Sequence, residues 1–300
     1  MLAPFSYAFA QRGVLEVLLL SLGAGLLGTW IVARGLAFYS HAVAAAAFPG
    51  LVLAAGLGFA PMLGALGTGA IFALGIGQLS TRRRAAYDAL TALALVGALA
   101  FGIALASNVF HSGSDVDSLL FGSLFALEAR DLLLGAGVAL AALAGTALLG
   151  PRWLAVGFDA EGAHAVGVRS RLPDLVLLAL VALAAVSALA AVGSLLATAL
   201  LVVPAVTARL WTRRMLGWQL TTVALAAAEG VAGIWLSVET NAPPGAAIAT
   251  LGGAVFAAAA LGRAAAPRLR SGGRLAARDG ASPLAAPARK RDRVSISSRP

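Results

Sequence analysis

Long apolar runs separated by short polar connections fill the first 262 residues of the chain. About 20 apolar residues, each rising 1.5 Å along a helix, are needed to cross a hydrocarbon layer of about 30 Å. Nine runs meet this requirement, some only if tilted or short. They are residues 14–33, 42–59, 62–79, 89–107, 132–150, 175–191, 195–208, 216–237 and 246–261. The pattern predicts an all-α, polytopic bundle with about nine transmembrane helices.

Two parts of the pattern do not fit a simple span. Residues 118–127 form an apolar run that is too short to cross, and we expect it to lie at the interface or fold back. The run at 195–208 is also short and follows Gly193. This break indicates a sharp turn or a partly re-entrant element, which a membrane tolerates only where protein shields the backbone.

Composition agrees with a membrane protein and excludes some chemistry. Apolar residues make up 60% of the chain and charged residues 12%, too little charge for the surface of a soluble domain. The chain contains no cysteine, so disulfides and thiolate metal sites are excluded. We expect no bound cofactor. Any metal chemistry must use imidazole, carboxylate, amide or backbone oxygen groups.

Arginine clusters predict the orientation of the spans. They follow the third, fifth, seventh and ninth runs, whereas the alternate connections are mainly acidic. The positive-inside rule therefore places the N-terminus outside and the C-terminus in the cytoplasm. The bias of arginine over lysine and the high alanine content suggest a bacterial gene, so the predicted location is the plasma (inner) membrane of a bacterium, as a multi-pass protein.

The sequence divides into two parts by composition. Residues 1–262 form the predicted transmembrane domain, and residues 263–300 form a basic tail of arginine, serine, proline, glycine and alanine that we expect to be disordered. The tail contributes much of the net charge of +9. Anchoring to anionic membrane lipid explains it better than nucleic-acid binding, because no aromatic residues lie between its arginines.

A polar tract at residues 151–175 separates two apolar runs and is predicted to form a loop or short helix on the cytoplasmic face. The chain has no GxxxxGK[ST] phosphate loop, serine elbow or HExxH pair. It is therefore not expected to be an enzyme. Active transport would need an ion gradient or a separate ATPase subunit, and the tract is large enough to bind one.

Five motifs in order resemble the permeases of ABC-type importers for zinc, manganese or iron. They are ARGLAFYSHAVAAAAFPG at 33–50, DSLLFGSL at 117–124, FDAEGAHAVGVR at 158–169, VGSLLATALLVVPAVTARL at 192–210 and LSVETNAPPGAAI at 236–248. The resemblance implies a permease pair around a central pathway, a cytoplasmic ATPase and an external substrate-binding protein. It also implies that Asp159, Glu161 and Gly167 belong to the ATPase-coupling region.

One departure from that family affects the substrate. The resemblance implies an aspartate and, four residues later, a histidine before the Pro-Gly pair. Here His41 occupies the aspartate position and Ala45 the histidine position. Neutral imidazole binds zinc, manganese and iron, so His41 is a candidate metal ligand that two copies of the chain would bring together. The alternative is that His41 only satisfies a nearby backbone carbonyl.

Other candidates come from the residues alone. Glu229 lies within the eighth run, where a carboxylate is costly unless paired, protonated or hydrated, so it is either a cation or proton site or a helix contact. Predicted outer connections carry Glu239, Asn241, Asp115 and Asp117, which either collect cations or are ordinary loop residues. His164 is more consistent with a docking surface than with a ligand. Arg12 and Glu16 have the spacing of a helical pair and are given no further role.

These features predict the permease subunit of an ATP-driven importer for a divalent transition metal. A related importer of a non-metal solute and a gradient-driven carrier using Glu229 are the alternatives. An intramembrane enzyme has no supporting motif.

Overall fold

The structure is a computed structural model that describes residues 8–80, 84–109, 129–159, 162–163, 167, 171–189, 193 and 197–279. Those residues contain nine α-helices, a π-helical turn at Leu105–Val109 and no strand. The helices are α1 (Ala8–Arg34), α2 (Ala37–Leu57), α3 (Pro61–Ser80), α4 (Arg84–Ala104), α5 (Ala129–Phe158), α6 (Arg171–Ser187), α7 (Ala197–Arg209), α8 (Met215–Thr240) and α9 (Pro244–Asp279). The predicted all-α helical membrane fold is confirmed, and each predicted span coincides with one helix.

Five described helices are long and apolar enough to cross a membrane by themselves. These are α1, α2, α5, α8 and the first part of α9. Shorter apolar segments occur in α3, α4, α6 and α7. The shorter ones rely on neighbouring helices to shield their ends.

Two helices form the centre of the bundle. α1 packs against α5, α6, α7 and α8, and α2 packs against α3, α4, α6 and α7. Both are buried over most of their apolar length. Their buried side chains include Leu27, Ile31, Tyr39, Val43 and Phe48. Exposed leucines and isoleucines are most frequent on the other helices, as expected where a helix faces lipid, although Leu15, Leu18 and Leu57 of the two central helices are also exposed.

Glycines allow two close helix crossings. A Cβ atom added to Gly50 of α2 would collide with the backbone oxygen of Gly64 in α3, and one added to Gly64 would collide with the oxygen of Gly50. Gly28 of α1 lies in the same way against the backbone of Leu201 in α7. The small-residue pattern therefore brings backbones together at these points, as it does in other membrane bundles.

The short seventh run follows a sharp turn. Gly193 is buried and has a left-handed φ of +85°, a conformation that glycine adopts readily. Its N–H donates to Leu189 O at 2.9 Å, and its own carbonyl accepts from the Ala197 N–H at 3.0 Å. The turn between α6 and α7 is thus held by backbone hydrogen bonds on both sides.

The polar tract differs from the prediction of a loop or short helix over residues 151–175. α5 continues through Pro151 to Phe158, and α6 begins at Arg171. Buried Trp153 explains the longer helix, because its indole N–H donates to Pro173 O at 2.7 Å and packs the end of α5 on the start of α6. Only residues 159–170, which we call the coupling tract, connect the two helices.

The last helix extends beyond the predicted end of the transmembrane domain. α9 continues to Asp279, so residues 263–279 have a helical backbone, and residues 280–300 lie outside the described part of the chain. The predicted disorder of the tail stays a prediction. By internal contacts the chain divides into residues 1–260 and 261–300. The packing described above belongs to the first unit.

Candidate functional site

His41 lies one turn into α2, where that helix meets α7. Its Nδ1 atom is 3.2 Å from Thr198 Oγ1, and the side chain is half-buried. If Nδ1 carries the proton and donates to the threonine, the lone pair on Nε2 remains available. A second-shell hydrogen bond of this kind fixes the tautomer and orientation of metal-binding histidines.

The turn of α2 around His41 is held in place by its neighbours. The Tyr39 hydroxyl donates to Leu178 O in α6 at 3.0 Å, and the Ser40 hydroxyl donates to Ala37 O at 2.9 Å. Tyr39 and Ser40 are both fully buried. His41 is therefore positioned by a rigid helix that is fixed to both α6 and α7.

Ala45 occupies a different environment from His41. It is only 1% exposed within a single chain, whereas His41 is partly accessible. A larger side chain at position 45 would have to displace its neighbours. Restoring the histidine that the family resemblance implies therefore requires compensating changes around α2.

Glu229 lies in α8, eleven residues before the helix ends at Thr240, or about 16 Å along the axis. It is 5% exposed, and Oε1 has no hydrogen-bond partner in the described residues. Oε2 faces Gly252 of α9, where a Cβ atom would approach to 3.0 Å. His41 contacts α7 instead, so the structure does not bring the two predicted metal residues together by their contacts.

Glu16 of α1 is a second buried carboxylate, which sequence reasoning missed as a candidate. It is fully buried, and neither oxygen has a hydrogen-bond partner in the described residues. It faces Gly135 of α5, where a Cβ atom would lie 2.9 Å from Oε1. The spacing from Arg12 predicts a helical pair, whereas the apolar residues around Glu16 in the sequence were the available signal of burial.

Polar contacts join three helices beside the coupling tract. Arg34 at the end of α1 forms an ion pair with Asp174 of α6 at 2.9 Å and donates to Trp153 O of α5 at 3.3 Å. Trp30 lies edge-on to Trp153, with ring centroids 5.4 Å apart, and donates to Thr146 Oγ1 at 3.2 Å. We call this region the arginine end of the bundle. Its contacts fix both sides of the coupling tract relative to α1.

Two predicted coupling residues have local structural roles. Asp159 Oδ1 accepts a hydrogen bond from the Gly162 N–H at 2.9 Å, and Asp159 is exposed. This is the pattern of a capping side chain. Gly167 has a left-handed φ of +82° with open space around its Cα. Glu161 and His164 lie outside the described residues.

The opposite end holds Glu239 and Asn241, both exposed. Asn241 ends α8 in a left-handed conformation with φ 52°, which asparagine tolerates well. Ser237 closes the turn by donating to Ala242 O at 2.7 Å. Asp115 and Asp117 lie outside the described residues. Among the described residues, no group of three or more His, Cys, Asp or Glu side chains is placed to hold a metal ion.

Comparisons with known proteins support the predicted resemblance. The profile of a family described as "ABC 3 transport family" matches residues 6–263. The chain is 32% identical over 254 residues to the "Manganese transport system membrane protein MntC" of Halalkalibacterium halodurans, covering 85% of this chain and 87% of that protein. It is 27% identical over 256 residues to a "Probable iron transport system membrane protein" of Haemophilus influenzae, covering 85% and 94%.

A solved structure has the same fold. It is described as "PsaBC from Streptococcus pneumoniae in complex with Fab" and is similar to this chain with a TM-score of 0.77 and 26% identity. The similarity covers 86% of this chain and 95% of that one. The matched lengths show that the similarity extends over most of both chains.

Proposed function

Because this chain belongs to the ABC 3 transport family, we propose that it is the permease subunit of an ATP-driven importer for a divalent transition-metal ion. The family match over residues 6–263 is the observation that carries the proposal, since it extends over almost all of the apolar helices. The relatives named for manganese and iron support a metal as the substrate. No observation favours a non-metal solute or a gradient-driven carrier.

In this proposal His41 is the metal ligand that each chain contributes to the pathway. Its Nδ1 contact with Thr198 supports this role, because it leaves Nε2 as the group that can bind an ion. One imidazole is a weak site for manganese, iron or zinc. A homodimer with two facing His41 side chains would provide a stronger one, so the pathway is proposed to form between two copies.

The proposed ATPase contact is the coupling tract, with Asp159, Glu161 and Gly167 in it. The Arg34–Asp174 ion pair and the Trp153 contact support this assignment, since they connect the flanks of the tract to α1. α1 leads directly into α2, and Tyr39 ties α2 to α6. Movement of the tract on ATPase binding would therefore reach the helix that carries His41.

Orientation follows from the charges. We place the arginine end and the C-terminus in the cytoplasm, where a separate ATPase binds, and the Glu239 end outside. There an external binding protein would deliver the ion near Glu239, Asn241, Asp115 and Asp117. Glu229 is proposed as a cation or proton site within the bundle rather than as a partner of His41.

The test is uptake of labelled manganese, iron and zinc by the complete complex reconstituted in vesicles with its ATPase. His41→Ala should lower uptake of the transported metal about tenfold or more while the complex assembles normally, because the imidazole ligand is lost. Uptake by the parent should also fall at acidic pH, because protonated imidazole does not ligate.

Thr198→Val is the matched control for His41. It keeps the imidazole and removes only the hydroxyl that orients it, so a loss of about tenfold, smaller than that of His41→Ala, is expected. Uptake by His41→Ala at the parental rate would contradict the ligand role of His41. Transport that requires no ATP, or no uptake of any of the three metals by the intact complex, would contradict the proposed function itself.

A further inference from the structure

A cavity of about 430 Å³ opens at the arginine end between α1, α5 and the α7–α8 connection. Two arginines, Arg209 and Arg213, and the aromatic side chains of Trp30, Trp153, Trp218 and Phe158 are among the residues that line it. No acidic residue is among its described lining. The cavity therefore combines positive charge with aromatic surface, and nothing in the transport mechanism proposed above uses it.

The two arginines are not neutralised by the part of the chain that the structure describes. Arg209 stacks on Trp218, with its guanidinium carbon 4.7 Å from the ring centroid, and donates to Thr212 O at 3.2 Å. Arg213 is exposed and has neither a hydrogen bond nor an ion pair with a described residue. Neither forms a salt bridge there, and both guanidinium groups keep N–H donors available for an anion.

The start of α8 adds a further source of positive potential. Met215, the first residue of this helix, also lines the cavity, and the preceding Arg214 makes no side-chain capping hydrogen bond. Free N–H groups and the helix dipole favour an anion at such an end. This end of α8 and the two arginines point to the same class of ligand, an anion with several acceptor oxygens.

The aromatic side of the cavity indicates that the ligand also has an apolar part. All three indole N–H groups are already used, since Trp30 donates to Thr146, Trp153 to Pro173 and Trp218 to Ala205. The rings thus present apolar surface rather than hydrogen-bond donors. Next to them, Phe158 is 94% exposed and Leu154 is 47% exposed, so the cavity has an apolar rim that an acyl chain can contact.

We propose that this cavity binds the phosphate headgroup of an anionic phospholipid. The phosphate oxygens would accept hydrogen bonds from Arg209 and Arg213, and the glycerol and first acyl carbons would contact the aromatic rings. A free phosphate ion would use only the arginines, and so would bind more weakly. The proposal concerns a lipid site and stands apart from the metal pathway.

The test uses the full chain in nanodiscs of phosphatidylcholine, with or without phosphatidylglycerol. Retained lipid is counted by native mass spectrometry, and thermal unfolding is followed in the same samples. Phosphatidylglycerol should remain bound to the parent and raise its Tm. Arg213→Gln should weaken this binding about tenfold, the loss expected when one charge-assisted hydrogen bond to the phosphate is removed.

Arg152→Gln is the matched control, because Arg152 is an exposed arginine near the end of α5 that does not line the cavity. It should bind phosphatidylglycerol like the parent. Arg213 is preferred to Arg209 as the test position because its replacement breaks no described contact. An equal loss in Arg152→Gln and Arg213→Gln would overturn the proposal in favour of general surface charge.

Two further arms separate the lipid from other anions. Inorganic phosphate added to phosphatidylcholine nanodiscs should give little stabilisation, and stabilisation equal to that from phosphatidylglycerol would overturn the proposal. Addition of the ATPase subunit should leave the bound lipid in place. Loss of the lipid on ATPase binding, with ATPase affinity reduced by Arg213→Gln, would show that the cavity serves the ATPase contact instead.

Discussion

Charged side chains at the arginine end of the bundle and the carboxylates buried in α1 and α8 differ in their hydrogen-bond partners. Arg34 at the arginine end pairs with Asp174 and also donates to a backbone carbonyl. Glu16 and Glu229 are buried carboxylates with oxygens that have no hydrogen-bond partner among the described residues. A paired charge fixes how helices pack, whereas a buried carboxylate without a partner requires a proton, a cation or water from outside the fold. The first arrangement indicates a structural role, and the second leaves open whether the carboxylate is a protonated helix contact or binds a cation or proton during transport.

The largest effect on stability is expected at the arginine end. Asp174→Ala would leave the Arg34 side chain, only 16% exposed, without its acceptor, at a cost of about 1–3 kcal/mol. The measurement is thermal or denaturant unfolding of the purified protein in detergent. Glu239→Ala, at an exposed residue, is the control and should change stability by about 0.5 kcal/mol at most.

A charge exchange sharpens this test. Arg34→Asp combined with Asp174→Arg should recover part of the lost stability, since the ion pair can form in the opposite sense. Equal stability of Asp174→Ala and Glu239→Ala would show that the ion pair contributes nothing to the fold. The arginine end would then not differ from the buried carboxylates in having a charge pair that stabilises helix packing.

A smaller effect is expected at Asp159. Asp159→Ala removes the oxygen that accepts from the Gly162 N–H and should cost about 1 kcal/mol, as for other capping residues. Asp159→Asn keeps an acceptor oxygen and removes the charge, so stability should be retained. If the charge contacts the ATPase, Asp159→Asn and the charge reversal of Asp159 with Glu161 should both reduce co-purification with that subunit.

The two substitutions at Asp159 separate capping from docking. Reduced ATPase binding by Asp159→Ala together with normal binding by Asp159→Asn would assign Asp159 to capping alone. Normal binding and transport in the double charge reversal would remove the coupling tract as the ATPase contact.

The smallest change in stability is expected at the buried carboxylates. Glu16→Gln and Glu229→Gln keep side-chain volume and break no hydrogen bond to a described residue, so unfolding should shift by about 0.5 kcal/mol at most. If Glu229 carries a cation or proton step, its substitution should still lower metal uptake by the reconstituted complex. Full uptake by Glu229→Gln over pH 5–8 would make Glu229 a helix contact.

Sequence periodicity and composition were sufficient to locate the nine α-helices of the described residues, because each of them contains an apolar run. The limits of α5 were not predictable in this way. Its extension past Pro151 depends on buried Trp153 reaching Pro173, a contact between helices rather than a local preference. Local polarity favoured a loop there, and packing outweighed it.

The candidate site likewise has features that the sequence predicts and contacts that only the structure reveals. His41 and Glu229 stood out in the sequence because polar residues are unusual in apolar runs. The residues that contact them could not be identified from the sequence. The Thr198 hydroxyl that faces His41, for example, lies 157 residues farther along the chain. The spacing of Glu16 from Arg12 predicted only a helical pair, whereas Glu16 is buried against Gly135 of α5. The sequence therefore identified unusual polar residues, but their contact partners could be identified only from the structure.

The two-residue connection between α1 and α2 also bears on how the protein is made. We expect helices joined so tightly to enter the membrane together, with Arg34 at the bend between them. Asp174 is 140 residues farther along the chain, so this ion pair cannot form until α6 has been made. In the proposed orientation, Arg34 is until then a positive charge that favours a cytoplasmic bend. Only after α6 is in place does Arg34 become part of the packed bundle.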